Sequence, residues 1–158
     1  MTSRELRFHW LIPFAWILHF ADEAWFDFPA WASRHSAPLP ETLWIPGMWI
    51  LSVVMIAAGF AASRPGSSAA FPFATATIQS TFAWNAVFHL VTTLWFAEYS
   101  PGCGTGLLVF LPATVLFQRG LRRDPRLSGR ARAIAAWLGF TLHALVVASL
   151  FVSKAALG

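Results

Sequence analysis

The chain has 158 residues, of which 57% are apolar and only 11% charged, with a mean hydropathy of +0.59. Soluble domains usually carry about 25% charged residues, so an ordinary water-soluble domain is excluded, and a single cysteine, Cys103, excludes an internal disulfide and a cysteine-based zinc cluster. The net charge of +4 would suit a nucleic acid, but the positive residues fall between apolar runs, which is the pattern of a topology signal, so no nucleic-acid partner is expected.

A spanning helix needs about 20 mostly apolar residues, and five runs approach that length. The first covers about 8–26. Arg4 and Arg7 precede it as they would in a signal peptide, but it lacks a small-residue cleavage site and ends in Asp22, Glu23 and aromatics, so it reads as a retained span. A loop follows with Pro29, Pro38 and Pro40; it holds Asp27, Arg34, His35 and Glu41. The second run covers about 43–62 and stops at Arg64-Pro65-Gly66. The third covers about 71–96 and stops at Tyr99-Ser100-Pro101-Gly102. The fourth covers about 103–117, a basic loop fills 118–132, and the fifth run covers about 133–152. The expected fold is all-α: one domain over 1–158, an integral membrane helical bundle of about five transmembrane helices. Prolines and glycines inside the runs, such as Pro13, Pro46, Gly59, Pro112 and Gly139, read as kinks and close-packing points.

Orientation follows from the cations. A cytoplasmic N-terminus puts Arg4, Arg7, Arg64, Arg119, Arg122, Arg123, Arg126, Arg130 and Arg132 on one side and only Arg34 and Lys154 on the other. This positive-inside bias predicts an N-in, C-out arrangement. The expected location is the cytoplasmic (inner) membrane of a bacterium, with membrane lipid as a partner and the oligomeric state open.

Ionisable groups within a span are costly and usually face the bundle interior or a water-filled cavity. The first run holds His19, Asp22 and Glu23, with His19 and Glu23 four apart on one helical face. The third holds Asn85 and His89, again four apart; the fifth holds His143; the fourth offers hydroxyls such as Thr105 and Thr114. At 1.5 Å rise per residue, His19 lies about 16 Å from the start of its run, His89 about 15 Å inside the Tyr99 break, and His143 about 15 Å from the start of its run. Three helices thus bring polar groups to a similar depth. His9 and His35 are expected at the surface, Asp27 in the outer loop and Glu98 at the interface. Imidazole nitrogens and carboxylate oxygens on adjacent turns are the donors that Zn, Fe or Mn sites use.

The ordered set His19-Phe20-Ala21-Asp22-Glu23, then Asn85 and His89, then Tyr99-Ser100-Pro101-Gly102, then Thr105 resembles the HXXEE-domain membrane proteins over roughly residues 15 to 115. That family carries His-x-x-Glu-Glu in its first helix, a later Asn-x-x-x-His, and then Tyr-x-Pro-Gly before a Thr. Asp22 departs from the pattern: it keeps the carboxylate but shortens the arm by a methylene. The resemblance implies a membrane-embedded, metal-dependent activity with His19, Asp22, Glu23, Asn85 and His89 as site residues; His143 enters only through the depth argument.

Three classes of function fit this pattern. The first is an enzyme in which His19, Asp22, Glu23, His89 and His143 are the candidate ligands of a divalent metal (Zn, Fe or Mn), with Asp22, Glu23 and Asn85 as catalytic candidates. A metal with an open position lowers the pKa of bound water to about 7, which suits a hydrolase acting on a lipid-like or apolar small molecule; a redox iron site fits the same ligands. The second is a proton or ion transporter, although the chain shows no internal repeat. The third is a structural or hydrophobic-ligand-binding membrane protein.

Overall fold

The computed structural model describes residues 2 and 4–157, with side chains described through residue 151. Every regular element among these residues is helical. A 3-10 turn, Glu5–Trp10, leads into α1, Leu11–Trp25. Asp27 then takes a left-handed backbone (φ 54°) and caps α2, Phe28–His35, by accepting the Ala30 amide at 3.0 Å. The long helices α3, Glu41–Ala62, and α4, Ala70–Phe96, follow. A short turn α5, Cys103–Thr105, a π-helical stretch Gly106–Phe110 and α6, Leu111–Arg123, run on as one rod, and α7, Gly129–Leu157, completes the chain.

Among the described residues, three helices are long and apolar enough to cross a membrane: Glu41–Ala62, Cys103–Arg123 and Gly129–Phe151. That is fewer than the five expected, and the reason is chemical. α1 is only 15 residues long and holds His19, Asp22 and Glu23. α4 has the length, 27 residues, but buries Thr75, Thr77, Gln79, Ser80, His89 and Thr92. Both helices sit at the centre of the bundle, where their polar groups find partners in protein. α3 turns Leu43, Trp49, Ile50 and Val53 outward, all more than half exposed, as a lipid-facing helix does.

Three of the expected bounds and one expected exposure need correction. The loop after the first run contains α2, since Asp27 supplies a cap and Pro29 suits the first helical turn. The fourth run continues in helix past 117 to Arg123, because cations are tolerated at a helix C-terminus. The fifth helix starts at Gly129, so most of 118–132 is helix rather than loop. His9 is not at the surface: it is fully buried, with Nδ1 3.0 Å from Thr75 Oγ1 and Nε2 3.4 Å from Asp124 Oδ2. The side chain of Lys154 lies outside the described residues.

The core is aromatic and small-residue: Ile12, Ala15, Trp16, Met55, Phe82, Ala86, Phe110 and Phe117 form one cluster. α7 lies along α4, where Gly139 meets Ser80 and the Thr77 carbonyl so closely that any Cβ would collide, and Ser80 donates to the Ala136 carbonyl at 2.8 Å. This is the close small-residue packing that joins helices in lipid. Gln118 donates to Gln79, and Gln79 to Thr114, tying α6 to α4.

Two ends can be told apart. At one, Arg126 reaches Asp124, the carbonyls of Ala62 and Arg64, Ser67 and His9. At the other, Arg34 and His35 of α2 grip Glu98 at 2.5 and 2.8 Å, and Ala37 donates to the Leu150 carbonyl.

Candidate metal centre

α1 presents His19 and Glu23 on successive turns, inward. α4 presents Asn85 and His89 in the same way, and the two faces meet. His19 and His89 are fully buried and Glu23 is 4% exposed. Glu23 Oε1 lies 3.1 Å from His89 Nε2 and 3.5 Å from His19 Nε2. The candidate ligand atoms of these three residues all fall within 4.8 Å of one another. Asn85 Oδ1 joins them at 2.7 Å from His19 Nε2.

The segment 99–105 closes over this group. Gly102 has φ 100°, a conformation that L side chains rarely adopt. A Cβ there would stand 2.7 Å from His19 Cε1 and 3.0 Å from His89 Nε2, so only glycine lets the backbone lie against both rings. The hydroxyls of the same segment hold the rings from behind. His19 Nδ1 pairs with Thr105 Oγ1 at 3.1 Å and His89 Nδ1 with Ser100 Oγ at 2.9 Å. Ser100 is fixed in turn by its amide, which donates to Thr93 Oγ1.

Proton accounting fixes one ring. Thr105 Oγ1 donates its proton to Asp22 Oδ2 at 2.7 Å, so it can only accept from His19, and Nδ1 of His19 carries the hydrogen. In the neutral ring the lone pair is then on Nε2, and its 2.7 Å contact with Asn85 Oδ1 becomes a hydrogen bond only when the ring gains a second proton or the Asn85 amide turns. His89 Nε2 is close to Glu23 but has no hydrogen-bond partner, since the approach lacks the angle that a hydrogen bond requires. Electron-pair donors therefore converge, with no lysine or arginine paired to Glu23 among the described residues.

Asp22 is placed differently from Glu23. Its carboxylate faces the segment 99–105, accepting from the Thr105 amide at 3.0 Å, the Thr105 hydroxyl and the Tyr99 hydroxyl at 3.0 Å, while Tyr99 Oη accepts from the Gly104 amide. It braces the cover and stands outside the converging group. Partial desolvation of the half-exposed Tyr99 raises its hydroxyl above the usual phenol range, reinforced by the Asp22 carboxylate. His143 of α7 also stays outside the group. It lines a cavity of about 530 Å³ that also touches Glu23, Asn85, Trp16, Trp44 and Phe82, and its buried Nε2 has no partner.

Sequence reasoning missed the parts played by Ser100 and Gly102. Gly102 was visible within Tyr-x-Pro-Gly, but its contact with two imidazoles depends on the return of the chain over α1. Ser100 occupies a variable place of that motif and carries no local signal.

The profile of a family described as a protein of unknown function with HXXEE motif matches residues 10–117, more than half of the chain, and the chain belongs to that family. Comparison with curated proteins and with solved structures found no match.

Proposed function

We propose that this HXXEE-family chain is a membrane-embedded, metal-dependent enzyme, with hydrolysis of a lipid-like substrate as the reaction that suits it best. The observation that carries this reading is the convergence of the ligand atoms of His19, Glu23 and His89, all buried, within 4.8 Å of one another. A buried carboxylate between two imidazoles needs a counter-charge. A second proton on His19, rotation of the Asn85 amide or a divalent cation would each relieve the facing lone pairs. The cation accounts for more: it employs the unpartnered His89 Nε2, and it explains why each ring is held through Nδ1 by a hydroxyl, the second support that metal-binding histidines commonly have. His19, Glu23 and His89 would hold the ion, Asn85 would orient a ligand or substrate, and Asp22 would set the position of Thr105 and hence of His19. Zn, Fe and Mn all accept such donors; when bound, the ion supplies Lewis-acid polarisation of a substrate oxygen.

The reading includes a five-span topology with the N-terminus inside, in which α1 with its leading turn, α3, α4, the rod 103–123 and α7 cross the bacterial cytoplasmic membrane. The gathering of the N-terminal turn, Arg64 and Arg126 at one end, and of Arg34 and Glu98 at the other, supports it.

The test is metal content of the untagged protein purified in mild detergent without chelators, measured by mass spectrometry beside Glu23→Gln and His89→Ala. Near-stoichiometric metal in the wild type, lost from variants of unchanged helicity and elution volume, is the expected result. Zn would favour hydrolysis, whereas Fe would favour oxidation of the same class of substrate. A metal-free wild type after such handling would overturn the reading and leave a protonated His19–Glu23–His89 clamp in its place.

A further inference from the structure

The 530 Å³ cavity lies beside the candidate metal centre, and its walls are uneven. Trp44, Met48 and Leu51 of α3 form one side, and Leu142, Val146 and Leu150 of α7 the other. The two helices line it together without packing along each other, so the cavity is a cleft between them. Its floor, with Trp16, Phe82 and Glu23, is buried, whereas Leu142 and Val146 at its α7 edge are about half exposed. It therefore opens sideways, on the apolar flank of the bundle, and ends inward on the site.

The floor is not uniformly apolar. Glu23 and Asn85 reach it from the metal centre, and His143, which stands between it and an open apolar groove along Trp84, Phe88 and Val91, has a buried, unpartnered Nε2. An imidazole nitrogen left bare in an apolar setting is costly unless something bonds to it. A purely hydrocarbon occupant, whether a lipid tail or a partner helix, would leave it bare. The volume is that of a pocket for one small molecule, within about 300–1,000 Å³, and too small for a two-chain lipid with its headgroup.

We infer that the cleft takes a single-chain amphiphile bearing one hydroxyl or carbonyl group, entering sideways between α3 and α7 with its polar end at His143 and Asn85 and its chain along Met48, Leu51 and Val146. This names the substrate class of the enzyme proposed above and rests on that reading for the role of the site, but binding in the cleft is separable from metal. His143 is thus a specificity residue that receives the polar end of the ligand, rather than a metal ligand.

The experiment uses the full chain in phosphatidylcholine nanodiscs and a hexadecanol probe carrying a mid-chain diazirine. After irradiation, labelled residues are mapped by peptide mass spectrometry. Saturable labelling at Met48, Leu51 and Phe82, removed by excess unlabelled hexadecanol, is expected. Leu51→Trp, which fills the cleft, should lower that labelling by about tenfold; Met48→Trp serves the same purpose if the first variant does not fold. His143→Ala should raise the concentration of competitor needed by about tenfold, the worth of one good hydrogen bond. Hexadecane, which lacks the hydroxyl, should compete equally poorly against wild type and His143→Ala. A metal-free His89→Ala variant should label as the wild type does, so loss of the metal reading would leave this result standing. Labelling confined to the outward residues Trp49, Ile50 and Val53, indifference to Leu51→Trp, or a stable dimer that fills the cleft and excludes the probe would overturn the inference.

Discussion

Two histidine–carboxylate clusters are buried along the same stretch of chain, ten residues apart, about 15 Å along a helix. In the first, His9 meets Asp124, and Arg126 embraces that carboxylate with Nε at 2.9 Å and Nη2 at 2.6 Å. The remaining donors of Arg126 reach Ser67 and the Ala62 and Arg64 carbonyls, and Nδ1 of His9 reaches Thr75. Charge is matched and the polar atoms are bonded. In the second, His19, Glu23 and His89 meet without lysine or arginine among the described residues, and His89 Nε2, though 3.1 Å from Glu23 Oε1, makes no hydrogen bond. Burial and residue types are alike in the two places. The difference lies in completion: the first cluster is finished by a fixed cation of the chain itself, as a structural clasp should be, and in the second no lysine or arginine faces the carboxylate among the described residues. Unsatisfied buried groups are rare in native proteins and call for an explanation; a ligand supplied from outside is the one argued above.

The largest effect that would sharpen this contrast is on stability. Arg126→Ala leaves Asp124 buried with only His9 and the residue-126 amide beside it and no fixed cation, and breaking such a pair costs about 3–5 kcal/mol. With wild type and variant both stripped of metal by a chelator, Glu23→Gln keeps the shape of the second cluster and removes the charge that lacks a fixed partner, so its cost should stay below about 1 kcal/mol, within the range of a neutral hydrogen bond; bound metal would add its own stabilisation to the wild type. Denaturant unfolding in detergent, followed by circular dichroism, measures both. Equal losses in the two variants would break the comparison, because Glu23 would then be as fully compensated as Asp124.

Next in size is Gly102→Ala. The added methyl must sit at φ 100° and against both rings. Holding a non-glycine residue in so rare a conformation costs about 1–3 kcal/mol, and the imidazoles must give way. Bound metal should fall well below stoichiometric even though His19, Glu23 and His89 are all present. Full metal content in a folded Gly102→Ala protein would show that the cover does not shape the site.

A smaller effect is expected at Tyr99. Its hydroxyl links Asp22 to the Gly104 amide, and Tyr99→Phe should cost about 1 kcal/mol while weakening metal retention only partly, since Thr105 still holds Asp22. A chelator titration compared with wild type reads the change. A loss of metal as complete as in His89→Ala would move Asp22 and Tyr99 from the brace into the centre itself.

These contrasts also mark what could be read from residues alone. The all-helical character and the apolar α3 and α7 follow from run length and hydropathy. His19 with Glu23 and Asn85 with His89 were each visible as a pair because four-residue spacing is local. What spacing does not carry is contact across the chain. Nothing near His9 announces Asp124, which is 115 residues away, so a buried clasp looked like a surface histidine. Asp22 and Glu23 are neighbours in sequence, and only the helix turn between them sends one to the cover and the other to the centre. Depth placed His143 with His19 and His89, but depth leaves rotation about the helix axis open, and α7 turns His143 toward the cleft.

The smallest effect concerns a third carboxylate, Glu98, which belongs to neither cluster. Arg34, and then His35, bond to it and hold its carboxyl below the usual range, from 4.5 downward. A carboxyl whose folded value is depressed contributes stability that is present above its unfolded value and lost as pH falls through the folded one. The clasp of α2 onto the end of α4 should therefore loosen below about pH 4.5, and not between pH 6 and 8 on account of Glu98. The pair is solvent-exposed, so salt screens it and its worth is slight. Amide hydrogen exchange in α2, compared between wild type and Glu98→Gln, should differ at neutral pH and converge in acid. Because Asp124 is likewise held low, its burial outweighed by Arg126, whole-protein unfolding in acid should belong to that buried clasp, while loosening confined to α2 should belong to Glu98. If both events vanished together in Glu98→Gln, the exposed pair would be holding the bundle, and burial would have to be given up as the property that ranks these three carboxylates.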